Sequence, residues 1–192
     1  MSARPIATTR SSAGMPTGRL GVWWLIASEI VIFGGVLASY IMFRLSHEAF
    51  SVQAANTNMW VGAFNTLVLL TSSLAAVLGH KAADAGDGPR AARMLYLTAL
   101  GGITFAAVKF LYEWPTEIHH GFTISSSTFW SFYYTAAGIH ASHVIAGMIV
   151  MAFVARDAAR GLELHRVELV GIYWHFVDIV WIFLFPLLYI AK

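Results

Sequence analysis

Six charged or titratable side chains stand inside strongly apolar stretches of this 192-residue sequence: Glu29, Lys109, His140, His143, His175 and Asp178. On insertion scales such a group costs about 3 kcal/mol at the centre of a membrane helix, so each is expected to have a partner and a role. Three chemistries are open to them. Imidazoles and carboxylates can satisfy one another and lock a helix bundle as a structural polar network. Three histidines and two carboxylates could bind zinc or iron. Buried carboxylates and histidines can also hold and pass protons.

Spacing narrows these choices. His140 and His143 are three residues apart and share one helix face, which Gly147 continues. Two histidines on one face cannot grip opposite sides of one haem, and no HExxH-type motif occurs. Gly138, Ser142 and Ala146 repeat at small-xxx-small spacing on a neighbouring face, which favours close helix packing. Glu168, Gly171, His175 and Asp178 fall in one stripe at 100° per residue, with Trp174 and Trp181 beside it. Lys109 lies about one turn from the end of its apolar stretch, where it is expected to snorkel to the surface.

The elements that must position these groups are membrane helices. The chain is 58% hydrophobic and 11% charged, with a mean hydropathy of +0.66. A soluble domain would carry roughly a quarter charged residues. Five stretches long enough to cross a bilayer can be read, at about residues 20–43, 59–79, 94–112, 129–155 and 167–191. The period-2 alternation of a barrel is absent, so the expected fold is an all-α membrane bundle in a single domain, 20–192. Residues 1–19 read as a mobile cytoplasmic tail. The first span is too long for a signal-peptide core, lacks a small-x-small cleavage site and carries Glu29.

Lysines and arginines outside the spans divide nine to two between alternate sides, which places the N-terminus in the cytoplasm and the C-terminus outside. Lys81–Pro89, with its Asp-Gly signals, reads as a cytoplasmic connector. Trp23, Trp24, Trp60, Trp114 and Trp130 lie near span ends, as aromatic belts do. No internal repeat suggests an inverted-repeat transporter. The absence of cysteine excludes disulfides, thiolate metal sites and covalent c-type haem attachment. A net charge of +2, with basic residues scattered over loops, gives no reason to expect nucleic acid.

Several motifs resemble subunit III of the haem-copper terminal oxidases. The run from Tyr173 to Leu184, YWHFVDIVWIFL, resembles the signature of that family's last helix, with Glu168 where the family has an acidic residue. Gly138 to Gly147 is similar to its G-x-H-x-x-H-V-x-x-G pattern. Ser28-Glu29 resembles its S-E helix, whose glutamate is the carbodiimide-reactive carboxylate. Asn65-Thr66, Leu69-Leu70 and Ser72-Ser73 resemble the next helix, and Tyr112-Glu113 the aromatic-acidic pair that ends the third span here. The likeness runs in order from about Gly21 to Tyr189. The full-length family has seven helices, and in several short members the first two are carried by subunit I. Where the family often has Ser-Asp-Gly-Val-Tyr-Gly before the histidine helix, this chain has Ile124-Ser125-Ser126-Ser127-Thr128-Phe129.

The resemblance implies a non-redox subunit of the cytochrome c oxidase type in the plasma membrane of a bacterium. It would pack on subunit I beside subunit II, with small accessory subunits as further partners, stabilise subunit I and support proton uptake. Haems and copper would sit in the partners. No catalytic, metal or cofactor residue is expected in this chain. Glu29, His140, His143, His175 and Asp178 are expected to form its buried polar network, with Asn65, Tyr112, Glu113, Trp174 and Trp181 as packing residues. A bound phospholipid would meet Arg156 and Glu168. An accessory subunit of a quinol oxidase or nitric oxide reductase remains open, as do a self-contained proton channel or transporter and a membrane metalloenzyme.

Overall fold

A helix of 30 residues is about 45 Å long, half as long again as a hydrocarbon core of about 30 Å. The long helices of this chain are therefore longer than that core is thick. The structure, a computed structural model, describes residues 16–47 and 49–191. In chain order the elements are α1 (Thr17–Ser46), the short α2 (Ala49–Ala54), α3 (Met59–Asp84), α4 (Gly88–Ala107), α5 (Trp114–His119), α6 (Thr128–Ala159) and α7 (His165–Phe185). A π-helical segment, Val108–Glu113, joins α4 to α5 without a break, and a second, Pro186–Ile190, ends α7. Five continuous helices are long and apolar enough to cross a membrane, and no strand occurs among the described residues.

The helices outrun the apolar stretches. α1 begins at Thr17, so residues 17–19 are helical rather than part of a tail, and residues 1–15 lie outside the described residues. α3 runs on to Asp84, which takes Lys81–Asp84 out of the expected connector. The remaining turn is tight. Gly86 adopts φ +78°, a left-handed conformation that suits glycine, and Asp87 Oδ1 accepts from the Arg90 amide at 3.0 Å with Pro89 in the first turn. At the other end Asn58 caps α3, its Oδ1 accepting from the amides of Trp60 at 3.1 Å and Val61 at 3.3 Å.

α3, α4, α6 and α7 make the core, and α1 packs against the outside of α6 and α7. Lipid gives apolar helices no hydrophobic drive to associate, so close fit has to do the work. Ala75, Ala76, Ala82 and Ala83 of α3 and Ala91, Ala92 and Leu95 of α4 are all buried, as small residues at a tight crossing should be. At Gly102 an added methyl would lie 2.7 Å from both Met148 and Trp174, so α4 reaches α6 and α7 only because that position is bare. On α6 the close approach to Trp174 falls at Gly147. Ser142 is exposed and Ala146 lines an open cleft, so the small-xxx-small face is not a tight helix crossing.

Trp23, Trp24 and Trp60 are exposed, whereas Trp130 is fully buried, its Nε1 donating to Gln53 Oε1 at 3.1 Å. That contact is made by α2, a one-and-a-half-turn helix inside what reads as a plain loop. Its Phe50 joins Tyr40, Phe129 and Phe132 in an aromatic cluster.

Candidate functional site

α1, α6 and α7 enclose a largely apolar cleft of about 540 Å³. Its wall holds Glu29 of α1 and His143 of α6, with His143 Nε2 2.9 Å from Glu29 Oε2. His143 Nδ1 faces the Ile139 carbonyl at 2.7 Å, one turn back on the same helix. The Nδ1 proton is therefore committed to the backbone. Nε2 and Oε2 stand at ion-pair distance without a hydrogen bond between them, and Glu29 Oε2 has no hydrogen-bond partner among the described residues. Tyr173 of α7 closes the arrangement, its hydroxyl donating to the His143 carbonyl at 3.2 Å. Both members of the pair retain slight exposure, 12% for the Glu29 side chain and 20% for His143, and both line the cleft.

The other expected residues lie elsewhere. His175 is half-buried on the α3 side of α7, its Nδ1 2.6 Å from Ser73 Oγ. The neighbouring indoles bond to the same helix: Trp174 Nε1 donates to Ser72 Oγ at 3.1 Å and Trp181 Nε1 to Thr66 Oγ1 at 2.9 Å. His140 is fully buried, stacked on Trp181 with ring centroids 5.1 Å apart and met edge-on by Phe105 at 5.3 Å. Neither of its nitrogens has a hydrogen-bond partner among the described residues, nor do the carboxylate oxygens of Asp178 or the amide of Asn65, all buried. The five residues thus form one direct pair, Glu29 with His143, and three separately placed groups.

Lys109 does not snorkel. It is fully buried, and its Nζ lies 3.1 Å from Glu113 Oε1 and 3.3 Å from the Tyr133 hydroxyl. Nζ also bonds to the hydroxyl of Tyr189 in the second π-helical segment. Tyr133 donates to Glu113 Oε1 at 2.6 Å, and Tyr189 bonds to the same oxygen. The rings of Tyr133, Tyr189 and Trp181 lie about the ammonium, with centroids at 4.9, 5.0 and 5.2 Å. Residues 109 and 113, four apart, share the face turned to Tyr133 and Tyr189, and Tyr112 is exposed beside them. Tyr112-Glu113 therefore does not end the third span, because the helix runs on to His119. The i, i+4 spacing of Lys109 and Glu113 was the signal for this cluster in the sequence.

A family model described as cytochrome c oxidase subunit III matches residues 7–192. The chain belongs to the cytochrome c oxidase subunit III family. It is 31% identical over 175 residues to cytochrome c oxidase subunit 3 of Bacillus sp. (strain PS3), covering 89% of this chain and 84% of that one. The protein of the same name from Thermostichus vulcanus is 32% identical, with 89% and 86% covered. A probable cytochrome c oxidase subunit 3 of Mycobacterium leprae (strain TN) is 35% identical, again with 89% and 86% covered. Membership makes this chain a membrane-embedded subunit of an oxidase complex, which therefore has partner subunits.

For a subunit III, the surroundings of the cleft carry further chemistry. Arg166, in the first turn of α7, lines it, with its guanidinium 3.5 Å from Glu163 and 3.6 Å from Asp157. Glu168 pairs with Arg19 at 2.5 Å and so ties the start of α1 to the start of α7. Arg156 is exposed on α6 and is not among the cleft-lining residues. Among the described residues no group of three or more histidine, cysteine or acidic side chains is gathered as a metal site.

Proposed function

We propose that this chain serves as a non-redox subunit III of a haem-copper oxidase of the cytochrome c type in a bacterial plasma membrane. It packs on subunit I beside subunit II, and the haems and copper belong to those partners. Its part is to stabilise subunit I and to support proton uptake. The observation that carries the reading is the cleft with the Glu29–His143 pair in its wall. A carboxyl and an imidazole facing each other at 2.9 Å, slightly open to a cavity, are the residue types that can pass protons. The apolar walls suit lipid acyl chains, and Arg166 offers a guanidinium that can take a phosphate in bidentate fashion. Arg166 lines the cleft and Arg156 does not, which supports lipid contact at Arg166. The N-terminus faces the cytoplasm, in keeping with the loop charges.

The test is gentle detergent purification through a tag on this chain, followed by a reduced-minus-oxidised optical spectrum. Haem bands together with two larger partner chains are expected. A folded, colourless chain that purifies alone would overturn the assignment to an oxidase complex, and proton transport by that chain in liposomes would then favour a self-contained channel.

A further inference from the structure

Lys109, Glu113 and Glu117 stand four residues apart along the continuous helix from α4 through the π-helical segment into α5. Their exposures are 0%, 2% and 4%. One oxygen of Glu113 takes the ammonium and both tyrosine hydroxyls. The other, Oε2, is buried without a hydrogen-bond partner among the described residues, and so is Oε2 of Glu117. Around them α6 contributes Tyr133, Tyr134 and His140, and the last helical segment contributes Tyr189. Tyr134 is committed to the Phe122 carbonyl at 2.8 Å. His119 and His120 are exposed at the end of α5. No ion pair forms on Glu117 among the described residues, and Lys109 is the only cation paired with Glu113.

The charges do not balance: one ammonium serves two carboxylates. A carboxylate taken out of water without a counter-charge costs several kcal/mol, and such a group neutralises by binding a proton instead. We propose that Glu113 and Glu117 share one exchangeable proton, which makes this face a buried protonation site at the carboxy-terminal end of the bundle, separate from Glu29. The proton comes from water and returns to it; no electron or other group moves. Thr116, Ile118 and His119 beside Glu117 are exposed, so the site lies just beneath the surface. The pair is poised to take up or give up a proton on that side of the membrane while Lys109 holds the remaining negative charge. The proposal stands whether or not Glu29 exchanges protons.

Infrared difference spectroscopy of the full chain in its native membranes, with its partners, tests this in H2O and D2O. Subtracting the Glu117→Gln variant from the unaltered protein should reveal one carbonyl band of a protonated carboxylic acid, shifted by D2O. Glu113→Gln should remove the same band, because either change leaves Lys109 with a single carboxylate. Glu29→Gln should leave it in place. If neither of the first two variants removes such a band, the site holds no proton. If Glu117→Gln removes it and Glu113→Gln does not, the proton belongs to Glu117 alone and sharing is overturned. Should the Gln variants fail to accumulate, Glu117→Asp must move the band; an unmoved band would sink the proposal.

Discussion

His143 commits its Nδ1 to the Ile139 carbonyl and turns Nε2 toward Glu29. The two stand 2.9 Å apart at the wall of a cleft that a hydrophobic reagent can enter. A lipid-soluble carbodiimide should therefore add once to this chain, at Glu29, and mass spectrometry should find no such adduct in Glu29→Gln. Lys109 and Glu113 behave differently because they are sealed. Removing one charge from a buried pair costs about 3–5 kcal/mol, since the other is stranded. Lys109→Met should accordingly lower thermal stability in detergent by that order, and adding Glu113→Leu should recover part of the loss. Glu29 and His143 were legible from residue type and depth alone. The burial of Lys109 was not, because it stands near the end of its apolar run and the tyrosines that enclose it come from other helices.

Helix pairing in this bundle depends on where side chains are missing. Gly102→Ala puts a methyl 2.7 Å from Met148 and Trp174, an overpacking worth about 1–3 kcal/mol. Gly34→Ala meets nothing within 4 Å and should stay within about 0.5 kcal/mol of the parent. Thermal unfolding of the two variants side by side checks the contrast. The apolar runs located five spans, since length and hydropathy are local properties. They did not reveal which small residues pack. Gly138, Ser142 and Ala146 satisfy the spacing rule as well as Gly147 does, yet Gly147 meets Trp174 while Ser142 is exposed and Ala146 lines the open cleft. Spacing defines a face, and the neighbouring helix decides whether that face is used. α2 went unread because its Phe50 and Ala54 are buried by elements far away in sequence.

At the scale of the molecule, α1 stands apart from a core of four helices, and the cleft exists because of that separation. Contacts at both ends hold α1 in place. Arg19 pairs with Glu168 at one end, and at the other Tyr40 donates to the Leu187 carbonyl at 2.7 Å and Arg44 to the Ala191 carbonyl. The orientation of the bundle can be read directly, because the chain has no cysteine to confuse labelling. Ala85→Cys and Ser125→Cys place single thiols in exposed turns at opposite ends of the bundle. A membrane-impermeant maleimide applied to intact cells should label position 125 and spare position 85. The reverse pattern would invert the topology.

The sequence by itself determined that this chain is a membrane helix bundle, how many spans it has and which family it belongs to. Those properties follow from composition, length and short motifs, which act over neighbouring residues. The tertiary structure alone decided which of the groups meet. Glu29 finds His143 114 positions later, and Tyr189 reaches Lys109 across 80. His140 is left between aromatic rings, and Asp178 and Asn65 lack hydrogen-bond partners among the described residues. Bond partners in a bundle are set by helix rotation and crossing, and these depend on packing among all the helices at once.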